Sequence, residues 1–389
     1  MLPEIAFWTS TGVMAWVYAG YPAAAAIVGR VRPVVLRAAS DPPTLTVAIA
    51  VHDEAEHIAE RIADALAQAG PGAPVIEVLV GSDGSTDATD AIVAELAVAD
   101  PRIRGLTLPR RGQTPTQAAL FEAARGEVVV LTDAETRFAP GCLAAMAEAL
   151  RDPRVGCVTG RLEWRDEDAT ATSTQEGLYW RYERRVRVLE SRAGLLTAVT
   201  GALLAVRASA YRPVPPTASM DHLLPLYVCQ AGELVIFTPG AVATDRPISG
   251  LREQFRNRTR TATRGIRANL SMVGPLAPWR RPGPALAIWS HKLLRWATPW
   301  FVAVAALSGL ALGIDGPVGY LMAPVAVLLL TLGAAAAHLL IGAGHHPWRI
   351  LAFARSFAVV NLAFGTGWIN VLRGREIEVW HRTEVKLTR

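Results

Sequence analysis

The chain has 389 residues, 51% hydrophobic and 19% charged, with 39 Lys and Arg against 34 Asp and Glu for a net charge of +5. That length exceeds one ordinary domain, and the apolar residues cluster too strongly for a fully soluble protein. The three cysteines, Cys142, Cys157 and Cys229, have no metal-type spacing and read as buried small hydrophobes in a reducing compartment.

From about Ile5 to Val28 the chain carries no charge, enough for a helix of about 17–25 residues to cross a bilayer. A cleaved signal peptide is the competing reading, but Glu4 stands where a positive n-region belongs. Arg30, Arg32 and Arg37 follow directly, so the positive-inside rule sets the N-terminus outside and the next segment in the cytoplasm. Residues 1–30 are therefore expected to be a transmembrane helix, and residues 41–275, with ordinary globular composition, a cytoplasmic domain.

Within that domain short apolar runs alternate with helical patterns. Leu45–Val51, Val75–Val80, Ile103–Leu108 and Val128–Leu131 read as strands. Ile58, Ile62 and Leu66 recur at a helical spacing, and further helices fit 117–124 and 142–150. Such alternation predicts βαβ units and a parallel sheet, with ligands beyond the carboxyl ends of the strands. Glu54, Asp83 and Asp133 all fall at that edge. Arg252 to Arg267 carries Arg252, Arg256, Arg258, Arg260, Arg264 and Arg267 at mostly helical spacings.

Residues 276–389 return to the membrane. Trp289, Leu293 and Trp296 beside His291, Lys292 and Arg295 suit an interfacial helix. Apolar runs from about Trp296 to Leu312 and Val318 to Ile341 read as two spans. Residues 351–372 are apolar but broken by Arg355 and Asn361, and fit a re-entrant or interfacial helix that leaves the basic tail in the cytoplasm.

The acidic motifs carry the chemistry. They are Gly81-Ser82-Asp83-Gly84-Ser85-Thr86-Asp87, Asp133-Ala134-Glu135, and Asp221 in Ser219-Met220-Asp221-His222. With Val47 to Glu54, they resemble the family 2 glycosyltransferases, in particular membrane-bound bacterial members related to polysaccharide synthases. Tyr179 to Glu183 looks like the acceptor-side segment of those members, and Gln254 with Arg258 like a loosened Gln-x-x-Arg-Trp element. The resemblance covers roughly Leu45 to Arg267. It implies a GT-A fold, an α/β nucleotide-diphospho-sugar transferase domain joined here to transmembrane helices, and inverting transfer of a sugar from a nucleoside diphosphate. Departures are Glu135 for the usual second Asp, Gln113 where Lys is common, Phe121 where Asn is common, and Asn257 with no Trp following.

On that resemblance Asp221 is the catalytic base. Glu54, Asp83, Asp133 and Arg258 face the donor nucleotide, most readily a UDP-sugar. Asp133 and Glu135 hold Mg²⁺ or Mn²⁺ through oxygen ligands. Tyr179, Trp180, Gln254, Arg260 and Arg264 are candidates to meet the acceptor or the diphosphate. Each has a plainer reading: Asp83 as a turn residue, Asp133 and Glu135 as a helix-capping pair, Asp221 as an N-cap, and the arginines as a face on acidic lipid. The expected function is a plasma-membrane, multi-pass transferase building a cell-envelope or extracellular glycan on a lipid-linked or growing acceptor. The departures leave a second class open, an inactive relative that scaffolds a partner synthase. Nucleic acid is not expected as a partner, because the basic residues border the membrane and no nucleic-acid module is evident.

Overall fold

The computed structural model describes residues 1–164, 171–245 and 250–375, with the side chains of 171–180 outside the description. Eight strands form one sheet: β1 Leu45–Val51, β2 Val75–Asp83, β3 Ile103–Leu108, β4 Val128–Thr132, β5 Arg137–Phe138, β6 Val155–Trp164, β7 Leu204–Arg207 and β8 Leu234–Asp245, in the order β3-β2-β1-β4-β7-β6-β8-β5. All seven residues of β1 are buried, as an apolar run covered on both faces must be.

The expected parallel sheet holds for half of this array. Strands β3, β2, β1 and β4 are parallel, as are β6 and β8, but β7 is antiparallel to both β4 and β6, and β5 to β8. Because β7 runs against β4, it begins at the edge where β1, β2 and β4 end. Gly201, just before it, lies so close to Asp221 that a Cβ there would stand 3.3 Å from the carboxylate.

The domain helices are α2 Ile58–Leu66, α3 Thr89–Ala99, α4 Gln113–Ala123, α5 Cys142–Ala149, α6 Ala171–Ala193, α7 Met220–Ala231 and α8 Leu251–Met272. Alternate residues of β1 feed two cores, as the period of two requires. Val47, Ile49 and Val51 meet α2 and α5 on one face. Ala48 and Ala50 share the other face with Leu120, Phe121, Leu223, Leu224, Met272, Ile288 and Leu293. Ile288 and Leu293 belong to the first helix after the domain, so the α/β domain and the helices that follow it share one core. All three cysteines are free and buried.

Among the described residues, Leu2–Val31 (α1), Val318–Gly342 (α11) and Arg349–Leu372 (α12) are each long and apolar enough to cross a membrane. Pro282–Trp296 (α9) and Thr298–Gly313 (α10) pass that test together, bent by 60°. The bend separates the polar, aromatic segment from the apolar one. Helix α12, read from sequence as re-entrant or interfacial, is continuous through Arg355 and Asn361 and packs along both α8 and α11. The Asn361 side-chain NH2 donates within the helix to the Phe357 carbonyl at 2.9 Å. Helix α1 packs on α10 and, through its second half, on α6.

Candidate active site

The first two strand-end loops brace one another. Asp53 follows β1 with φ of 53°, a left-handed conformation that Asp and Asn tolerate better than other side chains. Its carboxylate accepts from the Thr86 backbone at 2.7 Å, and His52 Nδ1 lies 2.9 Å from the Asp83 carbonyl. Asp83 is fully buried. Its oxygens accept from the backbone amides of Arg111 at 2.7 Å and Gly112 at 2.9 Å, and from the Arg110 guanidinium at 3.1 Å. Gly84 explains the Asp-Gly step: its φ is +63°, and a Cβ there would meet the Arg110 backbone nitrogen at 2.9 Å. Asp83 therefore anchors the loop that opens α4. The next residue of that loop, Gln113, donates its amide to Asp133 at 3.4 Å. The Lys-to-Gln departure thus keeps a donor on Asp133 and removes a charge.

Asp133 follows β4. Burial and the carboxylates of Asp245 and Asp221 push it up to about 7, partly offset by Arg260 and Arg61. The 133–137 turn is pinned from below: Arg137 donates to the Ala134 carbonyl at 2.8 Å and to Glu60 at 2.7 Å. Arg61, wholly buried, bonds the Thr132 hydroxyl at 2.9 Å, pairs with Asp64 and lies 4.0 Å over the Phe138 ring. Glu135 keeps different company. Its carboxylate, Glu54 and His57 bring ligand atoms within 4.8 Å of one another. The two carboxylates of the acidic triplet thus serve two neighbouring clusters. Oxygen-rich sets that repel in the absence of a cation fit a hard divalent ion, so the residues present suit the expected Mg²⁺ or Mn²⁺.

Asp221 sits in the first turn of α7, after Ser219 at the N-cap. His222 Nδ1 lies 3.2 Å from the Asp221 carboxylate and 2.6 Å from the Ser219 hydroxyl. Burial alone would raise Asp221, but His222, the Ser219 hydrogen bond and Arg264 outweigh it and hold the group below the ordinary carboxylate range. Asp221 and His222 line a cavity of about 270 Å³ with Gln254, Asn257 and Arg258 of α8, Trp296 of α9 and Phe364 of α12. Arg260 interacts electrostatically with both Asp133 and Asp221. Asp133, Asp221, Arg260 and Arg264 are thus electrostatic neighbours, and Gln254 and Arg258 share the cavity with Asp221. Asp83 reaches this group only through its loop. Tyr179 and Trp180 carry side chains outside the described residues.

One feature escaped the sequence reading. Asp245 ends β8 and stands among the carboxylates that raise Asp133; an acid closing an apolar strand, the rule that found Asp83 and Asp133, would have flagged it. Phe121, one of the departures from the family pattern, is buried in the core and stacks on Tyr211 with centroids 4.6 Å apart and planes 8° from parallel.

Comparison with known proteins agrees with this geometry. Residues 46–213 match the family described as Glycosyl transferase family 2, and the chain carries a domain of that family. The succinoglycan biosynthesis protein ExoO of Rhizobium meliloti (strain 1021) is 38% identical over 107 residues, 27% of this chain and 29% of that one. An N-acetylglucosaminyltransferase of Mesorhizobium japonicum is 26% identical over 245 residues, 59% of this chain and 57% of that one. The chain thus spans little more than half the length of such relatives, or less. A solved mannosyltransferase from Pyrobaculum calidifontis, in complex with GDP-Man and Mn²⁺, superposes with a TM-score of 0.66 at 23% identity, covering 97% of this chain and all of that one. The fold is GT-A, an α/β domain with a mixed sheet, accompanied by apolar helices.

Proposed function

We propose that this chain is a membrane-bound, inverting glycosyltransferase that moves a sugar from a nucleoside diphosphate to a lipid-linked or growing glycan acceptor, in cell-envelope or exopolysaccharide synthesis. One observation carries the reading. Asp133, at the carboxyl edge of the sheet, feels the charge of carboxylates from two other elements, Asp221 and Asp245, and Arg260 interacts with both Asp133 and Asp221. Further support comes from the rhizobial relatives, which are named for succinoglycan and N-acetylglucosamine chemistry. The apolar helices support a plasma-membrane location, and Arg30, Arg32 and Arg37 after the first of them support a cytoplasmic domain.

Asp221 takes the proton from an acceptor hydroxyl as that oxygen bonds to the anomeric carbon, while the bond from that carbon to the diphosphate breaks on the opposite face. A single displacement inverts the centre and needs no covalent sugar–enzyme intermediate. The low pKa of Asp221 keeps it ionised, as a base must be. Proton transfer becomes favourable only as the attacking oxygen forms its new bond and turns acidic. Arg258, Arg260 and Arg264 supply positive charge on the diphosphate side. Asp83 shapes the donor side by holding the 110–112 loop. A divalent cation on Asp133, with Asp245 or Glu135 completing its oxygen set, would neutralise the departing diphosphate.

The departures from the family pattern weigh little against activity: Gln113 still donates to Asp133, and Phe121 is core. Purified protein with Mn²⁺ is expected to release nucleoside diphosphate from one member of a panel of UDP- and GDP-sugars. Metal-dependent nucleotide binding with no turnover on any donor and acceptor would instead establish the scaffold reading.

A further inference from the structure

Behind the cavity lies a buried charge cluster that the reaction above does not use. Glu183 on α6 receives Arg295 at 2.6 Å, Arg187 at 3.3 Å and Lys292 at 3.6 Å. The second buried carboxylate, Glu190, accepts from the Tyr21 hydroxyl at 2.5 Å and meets His291 Nδ1 at 2.8 Å. The other nitrogen of His291 lies 3.2 Å from Glu183. Three cations face two carboxylates, so the cluster carries surplus positive charge even with neutral His291.

The cluster opens onto the cavity, where Glu183, Arg187 and Lys292 all contribute to the lining. Arg187 and Lys292 line it together with Asp221, while Trp296 and Phe364 supply an apolar wall. The Lys292 ammonium has three donors. Among the described residues its partners are Glu183, beyond hydrogen-bond reach at 3.6 Å, and the face of Trp296 at 5.7 Å. Its side chain is 14% exposed. Lys292 is also one of two lysines among 39 basic residues. A compact ammonium with rotatable donors acts as a point charge on a phosphate, where Arg would prefer a fixed fork. Phe364 comes from a helix long and apolar enough to cross a membrane.

We propose that Lys292 and Arg187 form an anion subsite for the phosphoryl group of a membrane-embedded lipid acceptor, whose sugar hydroxyl is thereby presented to Asp221. The subsite rests on the transferase reading and adds no bond-making step to it. The test is equilibrium binding to the full chain in detergent, without donor, using citronellyl phosphate, citronellol and inorganic phosphate as probes. Citronellyl phosphate is expected to bind at least about tenfold more tightly than either control, the size of a charge-assisted hydrogen bond. Lys292→Gln should lose that margin, Lys292→Arg should retain most of it, and Mn²⁺-dependent UDP or GDP binding should stay unchanged in both, which also reports intact folding. Arg187→Gln tests the same wall from a second element. Equal affinity for phosphate ester and alcohol, or full affinity in Lys292→Gln, overturns the subsite. Inorganic phosphate binding as tightly as the ester overturns its lipid source. Because no turnover is read, either result is separable from failure of the transferase reading, which the nucleotide-release assay decides.

Discussion

The two ends of the site are held in different ways. On the donor side the bracing contacts are short in sequence: Asp83 holds Gly112 across 29 positions, and Asp53 holds Thr86 across 33. On the acceptor side they span the chain. Glu183 meets Arg295 across 112 positions, Glu190 meets Tyr21 across 169, and Trp16 donates to Ser290 across 274. The donor end is therefore a property of the α/β domain itself. On the proposed reading the acceptor end is completed only by the docking of α9 and α12 against that domain, which bring Trp296 and Phe364 to the cavity.

The sharpest way to break this comparison is at the one side chain that the cavity shares with the carboxylate group. Asp221→Asn keeps the shape and removes the base. Transfer to acceptor is expected to fall about a thousandfold, within the range for general-base catalysis, while Mn²⁺-dependent nucleotide binding persists. Full transfer in the variant would reject Asp221 as the base. Next in size is Glu183→Ala, which leaves Arg187, Lys292 and Arg295 buried without their shared carboxylate. Removing one partner of a buried ion pair costs about 3–5 kcal/mol. Thermal unfolding in detergent should show that loss, with acceptor-dependent turnover failing before nucleotide binding does. Equal loss of both would mean that the two ends are not separately held.

Legibility in the sequence follows the same division. Asp83, Asp133 and Glu54 were readable because each closes an apolar run or opens the helix after one, which local periodicity reveals. The function of Asp83 as an anchor for Arg111 and Gly112 was not, because backbone amides of a distant loop leave no side-chain signature. The antiparallel sense of β7 was not legible either, because it depends on where α6 delivers the chain. The Glu183 cluster was invisible for a sharper reason. Glu183, Arg187, His291, Lys292 and Arg295 read as amphipathic, interfacial faces, and only docking of α1, α6 and α9 turns those faces inward. Asp245 obeys the same local rule as Asp83 and Asp133, an acid closing a strand.

Phe121 sharpens the comparison from the other direction. If its departure from the family pattern were functional, Phe121→Asn would restore the common residue and improve turnover. The structure predicts the reverse. Phe121 is 6% exposed and stacked on Tyr211, so the change should cost about 3 kcal/mol of stability, near the lower end for emptying a buried aromatic site. Turnover per folded molecule should not change. A gain in specific activity would return Phe121 to the site.

The smallest expected effect is a pH dependence at the boundary between the two ends. Asp221 is held below its ordinary value of 3.8, burial being outweighed by His222, Ser219 and Arg264. A carboxyl with a depressed folded pKa contributes stability above its unfolded pKa and loses it as pH falls toward the folded one. Asp221→Asn should therefore be less stable than the wild type at pH 7, and the gap should begin to close below about pH 5. With the carboxylate 29% exposed, the gap is expected to be no more than about 1 kcal/mol. Unfolding curves of both proteins between pH 7 and pH 3, in the absence of donor and cation, read it directly. A gap that widens on acidification would mean that burial, rather than His222 and Arg264, governs Asp221. The base would then be protonated at moderate acidity and turnover would carry its titration.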